Sequence, residues 1–173
     1  MASADVRAAV YAYFAPPAVD ILNTLYKAEP IYAPGTAWQL DSGVGFGAMG
    51  YLHISDESEA RAAFGGATGG IKSITYNVAL VLLYRYVITS NNTDDGPDSW
   101  TDGLDTLIDN VKARLRADRT LGTGDSGVVW QAGEGNNTSE PDIKVTRDLP
   151  KLTPNKVEAW QVVEFVVIEN IES

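Results

Sequence analysis

The sequence predicts an α+β domain in which a mostly antiparallel sheet carries one long amphipathic helix, with N-terminal helices packed on it. Three segments support this fold class. Residues 71–88 have apolar side chains at every even position from Ile74 onward, which is the two-residue period of a strand. Residues 100–115 have apolar side chains at helical spacing. Residues 157–171 are rich in the valine, isoleucine and aromatic residues that favour strands.

The N-terminal part predicts two short helices and then the first strand. Ser3 can cap a helix that runs to Phe14, and the two prolines that follow end it. Residues 18–27 place apolar side chains on one helical face and predict a second helix. The glycine-rich segment 43–50 leads into a strand over residues 51–54, and residues 56–64 predict one or two helical turns.

The long strand over residues 71–88 has an unusual second face. Its odd positions begin polar at residues 73, 75 and 77 but become apolar at Ala79, Val81 and Leu83. A strand that is apolar on both sides needs cover on both sides. We therefore expect a helix or another subunit to cover the second face midway along the strand.

The rest of the chain predicts a helix, a hairpin and a final strand. The helix over residues 100–115 turns its charged residues outward, with acidic residues in its first turns and basic ones at its end, as the helix dipole favours. Residues 127–132 and 143–149 predict two strands joined by the polar loop 133–141. A second polar loop is predicted over residues 89–99.

Composition narrows the possible functions. The chain has 173 residues, a length that fits a single domain over residues 1–173. It has no cysteine, so disulfides, thiolate metal sites and cysteine nucleophiles are excluded. A formal charge of −10 disfavours binding to a phosphate backbone. Neither a signal peptide nor a membrane-spanning segment is predicted.

Two glycine-rich segments come near nucleotide-binding motifs. Residues 45–50, GFGAMG, match the dinucleotide-binding glycine pattern, but that motif must follow a strand and open a helix, whereas here a strand is predicted to follow. Residues 65–73 come near a phosphate-binding loop, but Ile71 interrupts the pattern and a strand again follows. We expect no nucleotide cofactor at either segment.

No other motif predicts a catalytic or metal site. The single histidine, His53, lies in a predicted strand without an evident partner, and the acidic residues of loop 91–98 miss the spacing of a calcium-binding loop. Trp100 and Trp160 fit the pattern of core residues. Trp38 and Trp130 lie near predicted loops, where an aromatic side chain often anchors an interface.

Three segments carry a resemblance to a known family. They are LRADRTLGTGDSGVVWQAGEG at residues 115–135, DIKVTRDLP at residues 142–150 and VEAWQVVEFVVIENI at residues 157–171. Together with the predicted order of elements, they resemble tail terminator proteins of long-tailed phages (siphoviruses) that infect actinobacteria. The paired prolines at residues 16 and 17 and the glycine-rich segment 41–50 depart from the family pattern.

The resemblance implies a non-enzymatic structural role without a cofactor. Such proteins form a ring, usually a hexamer, that caps the tail tube in the neck region of the virion, ends tube polymerisation and joins the tail to the head connector. The implied partners are copies of the chain itself, the major tail tube protein, and a head–tail connector or head-closure protein. DNA would pass through the lumen without specific binding, and no membrane would be involved.

Candidates for contacts with these partners are the apolar side chains beyond those that one buried face needs, the charged residues and the polar loops. The candidate interface residues are Trp38, Val81, Leu83, Asp94, Asp95, Lys112, Arg116, Arg119, Trp130, Glu134, Asn136 and Asn137. Two alternatives stay open. Another neck ring protein, such as a head-closure or connector subunit, would share the same size and acidity. A small cytoplasmic enzyme or ligand-binding domain would instead require a deep pocket with convergent polar groups.

Overall fold

A computed structural model describes residues 3–30, 45–61, 71–88, 99–124, 128–130 and 142–172 of the chain. Two helices and seven strands form within these residues. In chain order they are α1 (Ser3–Phe14), β1 (Leu22–Tyr26), β2 (Phe46–Arg61), β3 (Ile71–Val87), α2 (Ser99–Ala117), β4 (Val128–Trp130), β5 (Ile143–Arg147), β6 (Lys151–Thr153) and β7 (Lys156–Glu172).

All seven strands belong to one mixed sheet. Its order is β1-β2-β3-β7-β4, and β5 and β6 also pair with β7. The long strands β3 and β7 pair antiparallel over their whole length, from Ile71 opposite Glu172 to Val87 opposite Lys156. β2 pairs antiparallel with the other edge of β3, whereas β1 pairs parallel with β2. The three long strands therefore form the centre of the sheet.

The hydrophobic core lies between one side of this sheet and the two helices. The even positions of β3 from Ile74 to Tyr86 are all buried, which fulfils the period-two prediction for that strand. α2 contributes Leu104, Leu107, Ile108, Val111 and Leu115, and α1 contributes Val6, Val10 and Phe14. The Phe14 ring lies 5.9 Å from that of Phe165 on β7, so α1 also packs on this side.

α2 lies unusually close to the sheet at Gly103. A Cβ atom at this position would overlap the hydroxyl of Tyr84 on β3. Tyr84 is fully buried, and among the described residues its hydroxyl has no hydrogen-bond partner. Glycine is therefore required at residue 103 by the close approach of helix and strand.

The predicted fold class is wrong. The described residues are 52% strand and 25% helix, and their sheet is mixed, so the chain does not have the predicted arrangement of one long helix with N-terminal helices on a mostly antiparallel sheet. In the described residues only α1 precedes the sheet, because the segment predicted as a second helix forms strand β1. Its Leu22 and Leu25 are buried beside β2, and this parallel pairing overrides the helical spacing of a short segment.

Two further predictions are wrong for related reasons. Residues 56–61, predicted as helical turns, continue β2, because each of them pairs with a residue of β3. β4 and β5 do not form the predicted hairpin, since both pair with β7 at different positions along it. By contrast, the predictions of α1, β3, α2 and β7 are confirmed within one or two residues at their ends. Residues 89–98 and 133–141 of the predicted polar loops lie outside the described residues.

Candidate functional site on the open face of the sheet

The side of the sheet opposite the helices is called the open face here. It carries the odd positions of β3 and the residues paired with them on β2 and β7. Val81 lies between Tyr51 on β2 and Val162 on β7, and Leu83 lies beside Trp160 on β7. Among the described residues, neither helix packs on this face. Apolar side chains of β2, β3 and β7 thus lie next to one another on a side of the sheet that no described helix covers.

A groove of about 710 Å³ runs over this part of the open face. Its apolar floor consists of Tyr51, Val81, Leu83, Trp160 and Val162. Leu83 is only 6% exposed, but Trp160 is 36% exposed, and the other three are half-buried. The floor therefore offers a partner mainly the exposed part of Trp160, with smaller contributions from Tyr51, Val81 and Val162, whereas Leu83 is already covered.

Charged side chains line the rim of the groove. Arg85 is paired with Glu158 on the neighbouring strand, with 2.6 Å between Nη2 and Oε1. Lys156 approaches the same carboxylate at 3.1 Å. Although burial opposes ionisation, hydrogen bonds from Lys156 and Arg85 lower the pKa of Glu158. This end of the rim is a half-buried ion-pair cluster that stays charged at neutral pH.

Two more carboxylates lie on the rim, from Glu29 and Asp148. Within the part of the chain that the structure describes, neither of them has an ion-pair partner. Burial raises the pKa of Tyr51, and the negative charge of Glu29 raises it further. The rim carries three carboxylates against two cations, the guanidinium of Arg85 and the ammonium group of Lys156, so its net negative charge favours a cationic partner.

A smaller and more polar depression of about 370 Å³ lies on the same sheet. Ser55 and Asn77 line it together with Lys144 and Glu164, whose side chains pair at 2.8 Å. The Ser55 hydroxyl donates to the main-chain oxygen of Asn77 at 3.3 Å. Its polar groups already bond to one another, so this depression is a weaker candidate for a binding site than the groove.

Basic residues gather on the other side of the molecule, at the C-terminal end of α2. This basic end consists of Lys112, Arg114, Arg116 and Arg119. Lys112 pairs with Asp109 at 2.7 Å, and Arg114 contacts Tyr13. Arg116 and Arg119 are exposed. The helix dipole stabilises the two cations in the last turn of α2, Arg114 and Arg116.

The structure brings together only some of the predicted interface residues. Val81 and Leu83 lie side by side on the groove floor, whereas Lys112, Arg116 and Arg119 form the basic end of α2 on the opposite side of the sheet. The backbone of Trp130 belongs to β4. The remaining predicted residues, Trp38, Asp94, Asp95, Glu134, Asn136 and Asn137, lie outside the described residues.

Sequence reasoning missed the most accessible residue of the groove. Trp160 was predicted to be a core residue, but it is 36% exposed on the open face. The sequence of β7 contains a pattern that indicates this exposure. Glu158 and Glu164 occupy even positions like Trp160 and therefore lie on the same side of the strand. Because glutamate is rarely buried without a partner, these even positions mark the side of the strand away from the core.

In the described residues, both glycine-rich motifs lead into strands. Strand β2 begins at Phe46, inside the first motif, and β3 begins at Ile71, inside the second, so neither motif is followed by a helix. His53 is an exposed residue of β2. The described residues contain no group of three or more histidine, cysteine or acidic side chains placed to hold a metal ion. The described helices also include none long and apolar enough to cross a membrane.

Comparison with protein-family models and with curated proteins found no match.

Proposed function

We propose that this chain is a structural subunit that assembles with copies of itself into a ring, with the groove as one of its contact surfaces. The observation that carries the proposal is the exposure of Trp160 above an apolar floor, on a side of the sheet without a described helix. Aromatic side chains that are half-exposed and surrounded by apolar neighbours are characteristic of the centre of protein interfaces.

Further exposed apolar side chains lie near the end of the sheet where β7 begins. Phe46 stacks on Tyr86 and is 38% exposed, and Ile88 is 48% exposed. Leu152 on β6 is 66% exposed, and Leu149 just before that strand is 94% exposed. These side chains add to the apolar surface of the groove, and a ring subunit that also meets another protein needs apolar surface for more than one neighbour.

The specific role we propose is that of a phage tail terminator. The resemblance of residues 115–135, 142–150 and 157–171 to that family supports it. In this role the ring, a hexamer in most members of the family, caps the tail tube, ends its polymerisation and joins the tail to the head connector. The acidic composition suits a ring through which DNA passes, because six copies would carry about −60 formal charges that repel phosphate.

Native mass spectrometry of the chain, alone and with its tail tube protein, tests the proposal. We expect a closed oligomer, alone or at the ends of tubes, and shorter tubes when the chain is present during tube polymerisation. A ring that binds the head connector but not the tube would make the chain a different neck protein. A chain that stays monomeric with both partners would contradict the proposal, and turnover of a metabolite bound in the groove would favour an enzyme.

A further inference from the structure

We infer that the groove of one subunit receives the basic end of α2 from the next copy of the chain. This inference rests on the proposed self-assembly and adds the two surfaces that meet. It follows from the position, the charge and the side-chain chemistry of the two surfaces.

The two surfaces lie on opposite sides of one sheet. Val81 and Leu83 of the groove floor occupy odd positions of β3, and α2 packs against the even positions, as shown by the close approach of Gly103 to Tyr84. A subunit therefore cannot fill its own groove with its own α2. Contact between two different patches on successive copies is heterologous, and it forms a closed ring when the rotation between neighbours completes a circle.

Charge favours this pairing over other contacts between copies. The chain has 23 acidic and 13 basic residues, so most pairs of its surfaces repel each other. Residues 112–119 are an exception, since they contain Lys112, Arg114, Arg116 and Arg119 but only one acidic residue, Asp118. The rim carboxylates of Glu29 and Asp148 are complementary to this segment.

The groove floor also suits arginine side chains. A guanidinium group can stack on the ring of Trp160 or Tyr51 while its methylene groups cover aliphatic neighbours such as Val162. Arg116 is the strongest candidate for this position, because it is exposed near the end of α2. The expected contact thus joins an aromatic floor and an acidic rim to an arginine-bearing helix end.

Two charge-reversal variants test the pairing. Asp148→Arg alters the rim, and Arg116→Glu alters the basic end of α2. By analytical ultracentrifugation we expect each variant to self-associate about tenfold more weakly than the wild type. An equimolar mixture should regain association, because the intact groove of Arg116→Glu can receive the intact basic end of Asp148→Arg and the two reversed surfaces are also complementary in charge. The double variant D148R/R116E should regain part of the association, since its reversed charges are again complementary.

Lys72→Glu is the matched control for Arg116→Glu, because it lowers the net charge by the same amount at an exposed ion pair with Glu59, far from the groove along β3. It should associate like the wild type. Circular dichroism of each variant separates loss of association from loss of folding. If only the stability of the monomer changes in the rim variant, another part of the same chain occupies the groove and the inference is wrong.

The remaining outcomes distinguish the inference from the proposed function. A ring that forms unchanged in both single variants would retain the function and overturn the pairing. The pairing would also be overturned, and the function retained, if Arg116→Glu dimerises through its intact groove, because that would indicate a symmetric contact. A variant Asp148→Arg that loses only its binding to the tube protein would have the same consequence. A wild-type chain that never assembles would overturn both.

Discussion

The side chains of Tyr13 and Arg114 bond to each other's main chain. The Tyr13 hydroxyl donates a hydrogen bond of 2.6 Å to the carbonyl oxygen of Arg114, and Arg114 Nε donates one of 3.1 Å to the carbonyl oxygen of Tyr13. The guanidinium also lies 4.0 Å from the centre of the Tyr13 ring. Since the last carbonyl groups of a helix lack partners within it, this exchange satisfies one at the end of each helix.

Tyr13→Phe should weaken this link between α1 and α2. The substitution leaves the ring over the guanidinium but removes the donor to the carbonyl oxygen of Arg114, and Tyr13 is only 4% exposed. We expect a loss of about 1 kcal/mol in the free energy of unfolding, measured by urea denaturation. Tyr11→Phe is the control, because no described residue bonds to the Tyr11 hydroxyl. Equal losses in the two variants would show that the hydrogen bond contributes nothing.

Gly103→Ala should destabilise the chain by overpacking α2 against β3. The added methyl group would overlap the hydroxyl of Tyr84, a fully buried residue whose hydroxyl has no described partner. A loss of about 1–3 kcal/mol is expected in thermal or urea unfolding, despite the higher helix propensity of alanine. The double variant G103A/Y84F tests whether this loss of stability comes from the overlap with the Tyr84 hydroxyl. It should recover much of the lost stability.

Tyr84→Phe alone is therefore expected to be neutral or stabilising, since it removes a buried hydroxyl that makes no described hydrogen bond. Burial raises the pKa of Tyr84 above its usual range, so the hydroxyl stays protonated at neutral pH. A marked loss of stability in Tyr84→Phe would show that the hydroxyl has a partner outside the described residues.

The ion pair between Arg85 and Glu158 should make stability depend on pH. The folded-state pKa of Glu158 lies below its ordinary value of 4.5, so the pair stabilises the folded state fully above that value. The contribution is lost as the pH falls through the lower folded-state pKa. Glu158→Gln should therefore be less stable than the wild type at neutral pH, and the difference should shrink below pH 4.5, measured by urea denaturation across pH.

The matched experiment places Glu158→Gln in an Arg85→Gln background. Without the guanidinium, one cause of the lowered pKa is removed, so the same substitution should produce a smaller pH-dependent difference. If the pH-dependent difference in stability is not smaller in this background, the lowered pKa of Glu158 is due to Lys156, which approaches the same carboxylate at 3.1 Å.

Sequence periodicity predicted the elements that bury one continuous face. The even positions of β3 and the apolar stripe of α2 pack against each other, so their patterns reflect the contacts that form the core. Short elements behaved differently. β1 has five residues, and its pairing with β2, including the bond from the Ala48 amide to the Asn23 side chain at 3.0 Å, depends on residues distant in sequence.

The candidate site was predictable only in part, for a related reason. Val81 and Leu83 were selected because they interrupt the alternation of β3, which is a local signal. The acidic rim is not local, since Glu29 lies more than 100 residues before Asp148 and Glu158 in the chain. The register of β3 with β7 then places Trp160 beside Leu83. The hydrophobic pattern of a single segment does not reveal that Leu83 and Trp160 are neighbours.

The two faces of β7 should respond differently to truncation. Phe165 points into the core and is 3% exposed, whereas Trp160 lies on the open face of the same strand and is 36% exposed. Phe165→Ala should lower the free energy of unfolding by about 3–5 kcal/mol, because a cavity forms beside Phe14.

Trp160→Ala should lower that free energy by a smaller amount, because Trp160 is 36% exposed in the folded chain whereas Phe165 is only 3% exposed. If the groove is a subunit interface, the same variant should lose self-association about tenfold or more, as truncation of a central aromatic residue does at many interfaces. Urea denaturation at low protein concentration and sedimentation at high concentration separate the two effects. A Trp160→Ala variant as unstable as Phe165→Ala, with normal assembly, would make the tryptophan a core residue and leave the groove without a role in assembly.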